Sequence, residues 1–219
     1  MARVSPQTQL PLEIGDYSSL KALRMAAATC KRCPLWKNAT QTVFGEGPAH
    51  ASLVFVGEQP GDKEDIQGHP FVGPAGVVLD KALSEAEIPR SEIYVTNAVK
   101  HFKNEPRGKR RLHKRPDPHE IKICSAWLNA EVELIKPRMV IGLGTTAAYA
   151  LLGSAVTIHA SRRKQLTMPL GFNVAITTHP SAILRQPDDE SREQAYKQLV
   201  EDFVWIRKWA EKLGVAHSR

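Results

Sequence analysis

Two cysteines separated by two residues, in Cys30-Lys31-Arg32-Cys33, offer the first chemistry in this chain. That spacing lets two thiolates grip one metal centre. A third cysteine, Cys124, stands far along the sequence, and an odd count argues against a disulfide framework. Four other polar groups each follow a short apolar run. In Gly57-Glu58-Gln59-Pro60-Gly61, two glycines and a proline fix a tight turn and bring backbone N–H groups close to a ligand, with Glu58 ionisable at its centre. Asn97, ahead of Ala98-Val99-Lys100, presents an amide donor and an acceptor side by side. Gly142-Leu143-Gly144-Thr145 and His179-Pro180-Ser181 are the third and fourth. Phe71 and His179 taken alone would more often be a core residue and a structural one.

The elements that must position these groups alternate. A helix is expected over residues 18–30, delivering Cys30 and Cys33. Strands are expected at 52–56, 92–96, 138–143 and 173–178, each an apolar, β-branched run. Helices are expected at 74–86, with Pro74 in its first turn, and after Gly144. Asp117 and Pro118 open another helix, with Glu120 in capping-box position, running to about Ile135 and carrying Cys124. A last helix is expected over 191–212, and residues 100–116 read as a loop. Strands alternating with helices imply a three-layer α/β/α domain around a central, mostly parallel four-stranded sheet. Ligands in such sheets bind beyond the carboxyl ends of the strands, where the four polar groups stand.

The chain has 219 residues, 42% of them apolar, which suits one domain over 1–219 with residues 1–17 loosely ordered. No apolar run reaches the roughly 18–20 residues of a membrane span, and no signal-peptide layout opens the sequence. A cytoplasmic protein is expected. Net charge is +7, and the eight basic residues between Lys100 and Arg115 stand against a single acid, Glu105. A localised basic loop is the footprint of a polyanion partner, or a solvated, mobile loop.

Four segments together resemble the uracil-DNA glycosylase superfamily: residues 57–76 (GEQPGDKEDIQGHPFVGPAG), 94–102 (YVTNAVKHF), 108–113 (GKRRLH) and 179–185 (HPSAILR). Their order, with the leading C-x2-C, resembles the iron–sulfur branch known as family 4. GEQPG and the KRR-x-H loop resemble its UdgX-like subgroup; Gln59 stands where family 4 usually has Ala. The resemblance implies a partner, uracil-containing DNA with single strands accepted, and a monomer. It makes Glu58 the acid that orients or activates the group attacking the sugar. Gly57, Gln59, Phe71, Asn97 and Ser181 would line the base site. Phe71 is its aromatic floor, since a base must leave the stack to be processed. Asn97 is the reader, because a fixed amide complements uracil O4 and N3–H and not cytosine. His179 would stabilise charge at uracil O2 as the bond breaks. Ile183-Leu184 could wedge into the vacated stack. Lys109, Arg110, Arg111 and Arg185 would meet phosphate.

His113 ends the basic loop. A neutral imidazole held at an oxocarbenium-like C1′ would attack it in place of water. The UdgX-like resemblance therefore implies a covalent adduct through His113; the alternatives are a turnover glycosylase that leaves an abasic site, and a His113 that only contacts phosphate. A non-catalytic nucleic-acid-binding module is a further alternative. The resemblance also implies a [4Fe–4S] cluster held by Cys30, Cys33, His101 and Cys124. Three cysteines and one histidine equally suit structural zinc.

Overall fold

The computed structural model describes residues 14–108 and 110–216. Along the chain, α1 (Leu20–Ala27) is followed by β1 (Leu53–Gly57), α2 (Asp62–Gln67), α3 (Pro74–Glu85) and β2 (Ile93–Asn97). A hairpin of β3 (Asn104–Arg107) and β4 (Arg110–His113) leads into α4 (Pro118–Ile135), β5 (Met139–Leu143), α5 (Gly144–Leu152) and α6 (Ile158–Ser161). The chain closes with β6 (Leu166–Thr167), β7 (Asn173–Thr177), α7 (Pro180–Leu184) and α8 (Asp189–Ala216).

The main sheet has the order β2-β1-β5-β7-β6 and is parallel except for the β6–β7 pair. It therefore has five strands, not the expected four. The fifth, β6, is a two-residue antiparallel edge strand, too short to imprint a period on the sequence. The three-layer arrangement holds. β1 alternates its side chains between two cores, as a strand with both faces covered must. Leu53 and Phe55 pack with Leu79 and Leu83 of α3 and Phe203 and Ile206 of α8. Val54 and Val56 pack with Leu128 and Val132 of α4 and Ala147 and Leu151 of α5.

The segment 100–116 is not the loop expected. Asn104 pairs with His113 and Arg107 with Arg110 in an antiparallel ladder. Arginines and a proline there hide the strand pattern, and buried attachments hold it. Several of its cations are committed inside the protein. Lys100 is 1% exposed and donates to Glu131 Oε2. Lys103 meets Glu120 at 2.7 Å, and Arg111 bonds both Asp62 and Asp65.

The capping box opens α4 as expected: Glu120 N donates to Asp117 Oδ1 at 3.0 Å, and Asp117 N to Glu120 Oε2 at 2.8 Å. The first helix is shorter than expected and the last longer. Most of the segment 1–17 lies outside the described residues. Its described part packs: Ile14 and Tyr17 lie against the cluster of Leu23, Cys33, Cys124 and Trp127.

Candidate active site

Register places the functional groups. β1 and β2 end together, with Gly57 beside Asn97, and β5 and β7 end with Leu143 beside Thr177. The segments beyond them enclose a cavity of about 900 Å³ lined by Glu58, Gln59, Phe71, Asn97, His113 and His179, among others.

Three of these groups converge at Gly57. A methyl added there would collide with Asn97 Oδ1 and stand 2.7 Å from Phe71 Cζ and 3.4 Å from His179 Nε2. Only a residue without a side chain leaves this floor open. Asn97 is 3% exposed, so its amide is held in place. Phe71 adopts φ +58, a conformation that costs a bulky residue about 1–3 kcal/mol. Its carbonyl occupies the space a side chain at Gly76 would need. The ring lies 6.2 Å from the His179 ring, stacked at 26°.

His179 caps α7. Its Nδ1 accepts the Ser181 N–H at 3.1 Å and lies 2.8 Å from Ser181 Oγ. Arg185 Nη1 donates to that same Oγ at 3.0 Å, which frees the serine hydrogen for Nδ1. The ring's own proton is thereby assigned to Nε2, the nitrogen near Gly57. Burial first, then the charge of Arg185 and of His113, lower the His179 pKa to about 4. His179 is a neutral N–H donor at physiological pH.

Glu58 receives Thr146 Oγ1 at Oε2, 2.7 Å away, and its Oε1 lies 3.4 Å from His113 Nε2. Gln59 is fixed at both ends of its amide. Lys103 N donates to Oε1 at 3.0 Å, and Nε2 donates to Lys114 O at 3.0 Å. Its remaining N–H meets His113 Nε2 at 2.9 Å. His113 itself is half exposed at the end of β4.

Among the cationic residues, Arg110 and Arg185 are exposed. Arg111 pins the hairpin to α2 through Asp62 and Asp65, and Lys109 lies outside the described residues. The expected wedge pair divides: Ile183 is core at 2% exposure, while Leu184 is 42% exposed at the cavity wall. The residues that sequence reasoning missed are Thr146, Arg115 and Glu64. Glu64 accepts the Gly73 N–H at 2.8 Å and lines the cavity. Its position inside the 57–76 segment was a usable signal; Thr146 had only its place after the third predicted strand.

Cys33 and Cys124 belong to one buried cluster with Ile121 and Trp127 of α4, and half-buried Cys30 packs against it. Each of two sulfurs accepts an N–H: Cys124 from Lys100 at 3.2 Å, Cys30 from the Trp127 indole at 3.3 Å. Burial pushes the Cys124 thiol up to about 12, against the pull of Lys100, and the other two cysteines add to the rise. Burial lowers the His101 pKa, against the charge of Asp65, and so favours the neutral imidazole a ligand must present. Its Nε2 instead meets Thr42 Oγ1 at 3.0 Å. Among the described residues no three His, Cys, Asp or Glu are grouped to hold a metal ion. Three cysteines and a histidine are donor types that suit a metal centre, while the four expected ligands are not drawn into one compact set.

The family described as Uracil DNA glycosylase superfamily matches residues 44–204. A type-4 uracil-DNA glycosylase of Thermotoga maritima is 37% identical over 186 residues, covering 84% of this chain and 91% of that protein. A type-4 uracil-DNA glycosylase of Sulfurisphaera tokodaii is 34% identical over 200 residues, 88% of this chain and 85% of that protein. One of Archaeoglobus fulgidus is 33% identical over 181 residues, covering 79% and 87%. With that family model over residues 44–204 and these relatives along most of its length, the chain belongs to the uracil DNA glycosylase superfamily.

Proposed function

We propose that this chain excises uracil from DNA and releases it, leaving an abasic site. The observation that carries the reading is the convergence of Asn97, Phe71 and His179 on the open floor at Gly57. A flipped uracil stacks on Phe71, pairs its O4 and N3–H with the Asn97 amide, and turns O2 toward His179 Nε2–H. A neutral donor there stabilises the leaving uracilate without first losing a proton. Glu58, anchored through Oε2, orients a water toward C1′ with its other oxygen. The names of the type-4 relatives support turnover. So does Gln59, whose N–H takes up the His113 Nε2 lone pair.

A second reading, the UdgX-like one, is favoured by a specific observation: His113 lines the same cavity as Asn97, with its Nε2 3.4 Å from Glu58. Here His113 replaces water and stays bonded to C1′. One experiment separates the readings. The protein is incubated with a single-stranded deoxyuridine oligonucleotide and run on a denaturing gel while free uracil is measured. Uracil in molar excess over protein is expected. A shifted band that disappears in His113→Gly selects the covalent reading instead. Binding indifferent to uracil against thymine overturns both and selects a non-catalytic module, recognisable by its steep salt dependence.

Arg110, Arg185 and exposed Leu184 are the DNA contacts this reading favours; Lys109 and Arg111, the neighbours of Arg110 in the sequence, are further candidates. The metal reading remains a [4Fe–4S] cluster on Cys30, Cys33, Cys124 and His101, supported by two buried thiols with half-buried Cys30 packed against their cluster, and by two N–H···S bonds. When bound, such a group would tie the N-terminal helix to α4 and the base-reading strand. Zinc is the alternative. Visible absorption with matching iron and sulfide content supports the cluster, and stoichiometric zinc replaces it. No described helix is long and apolar enough to cross a membrane; a cytoplasmic monomer is the corresponding proposal.

A further inference from the structure

We propose that Thr146 is a positioning residue for Glu58, aimed by Arg115. This rests on the excision reading and assigns what holds its carboxylate. Thr146 lies in the first turn of α5 and is 1% exposed, so its hydroxyl must find its partners inside the protein. It has two. Arg115 Nε approaches Thr146 Oγ1 at 3.3 Å, while Arg115 Nη2 is anchored on Thr145 Oγ1 at 2.8 Å. A guanidinium only donates. Thr146 Oγ1 must therefore accept from Arg115, and its single hydrogen is left for Glu58 Oε2, 2.7 Å away.

Direction follows from this chain of donors. Arg115 orients Thr146, and Thr146 fixes one oxygen of Glu58. The carboxylate cannot exchange its two oxygens without breaking that bond. Oε2 becomes the anchor, and Oε1, 3.4 Å from His113 Nε2, the oxygen turned to the reaction. A threonine suits the task because its χ1 is stiff and its backbone is set by the helix. The group holding Glu58 thus comes from the helix that follows β5 directly, while Glu58 comes from the loop after β1. The two strands are neighbours in the sheet, so the anchor moves little relative to the acid.

The test compares wild type, Thr146→Val and Thr146→Ser in single-turnover excision of uracil from a single-stranded oligonucleotide. Binding is measured in parallel with the same strand bearing 2′-fluoro-2′-deoxyuridine, whose glycosidic bond resists cleavage. Thr146→Val removes the hydrogen bond at nearly constant volume. It is expected to slow excision about tenfold to a hundredfold, the usual range for a bond to a charged group, with affinity unchanged. Thr146→Ser keeps the hydroxyl and is expected to restore most of the rate. Thr146→Ala serves as the second variant where circular dichroism shows that valine disturbs the fold, with the same loss expected. A wild-type rate in Thr146→Val, a Thr146→Ser as slow as Thr146→Val, or an affinity that falls in step with the rate would each overturn the proposal. A wild type that neither releases uracil nor forms an adduct overturns the excision reading and this proposal with it. An active wild type matched by Thr146→Val overturns this proposal alone.

Discussion

Adding a single methyl at Gly57 should close the base site while leaving the fold standing. Gly57 does not need glycine for its backbone, since its φ lies outside the left-handed region. The need is for space. A methyl built there stands 2.7 Å from Phe71 Cζ, where ordinary contact begins near 3.4 Å, and also overlaps Asn97 Oδ1. The strand cannot withdraw to make room. Gly57 pairs with Asn97 on one side, and Val56 with Gly142 on the other. Relief must come from the side chains, with the Phe71 ring retreating by about 0.7 Å and the Asn97 amide turning aside. Those are the two groups proposed to hold the uracil. A misplacement near 1 Å costs on the order of a hundredfold in rate, whereas overpacking costs about 1–3 kcal/mol of stability. Gly57→Ala is therefore expected to lose about a hundredfold in kcat/KM for uracil release, while still unfolding cooperatively in urea. Uracil release within a few-fold of wild type in Gly57→Ala would refute the claim that these three groups form the base site.

Three other outcomes can be measured. His179 has a folded pKa of about 4, below its unfolded value, so on acidification the unfolded state binds a proton first. Stability should fall as the pH drops from about 6.5 toward 4, and urea melts of His179→Asn should show a shallower loss over that window. Asp117→Ala removes the cap that opens α4 and a partner of Lys103, and should cost about 1 kcal/mol in the same melts. Leu184→Ser should slow excision from duplex DNA by about tenfold and leave single-stranded substrate nearly untouched, because only a duplex has a stacked space to fill.

Sequence alone carried the parts of the fold that repeat locally. Four strands and the capped helix α4 declare themselves through runs of apolar residues and a three-residue spacing. Their alternation then places Glu58, Asn97 and His179 at one edge of the sheet. What stayed hidden is long-range pairing. Lys100 reads as part of a cationic loop until Glu131, 31 residues away, is found beside it in the core. Arg111 reads as a phosphate contact until Asp62 and Asp65 close on it from 49 and 46 residues away. The hairpin was missed for the same reason, since its strands are charged outside and held by partners elsewhere. Thr146 carries no local mark of its role, because a buried threonine in a helix is ordinary until its hydroxyl is seen to point at a carboxylate.

The choice between water and imidazole at C1′ comes down to one amide. Gln59 Oε1 accepts from Lys103 N and its Nε2 donates to Lys114 O, so the amide cannot flip without losing both bonds. Its remaining hydrogen lies 2.9 Å from His113 Nε2, and a lone pair that accepts a hydrogen bond is a poor nucleophile. The 3.4 Å to Glu58 is long for a competing bond. In the free protein the Gln59 N–H therefore occupies the His113 Nε2 lone pair, and a turn of the ring would release it. His113 is half exposed, and its ring lies 6.0 Å from the Phe102 ring, at a tilt rather than stacked. Bound DNA that forced such a turn would convert the general architecture of a glycosylase into a trap without moving any other residue. Gln59→Ala removes the restraint: if Gln59 is what favours turnover, this variant should form more His113-dependent adduct than wild type, and an unchanged ratio of adduct to free uracil would show that the amide does not decide.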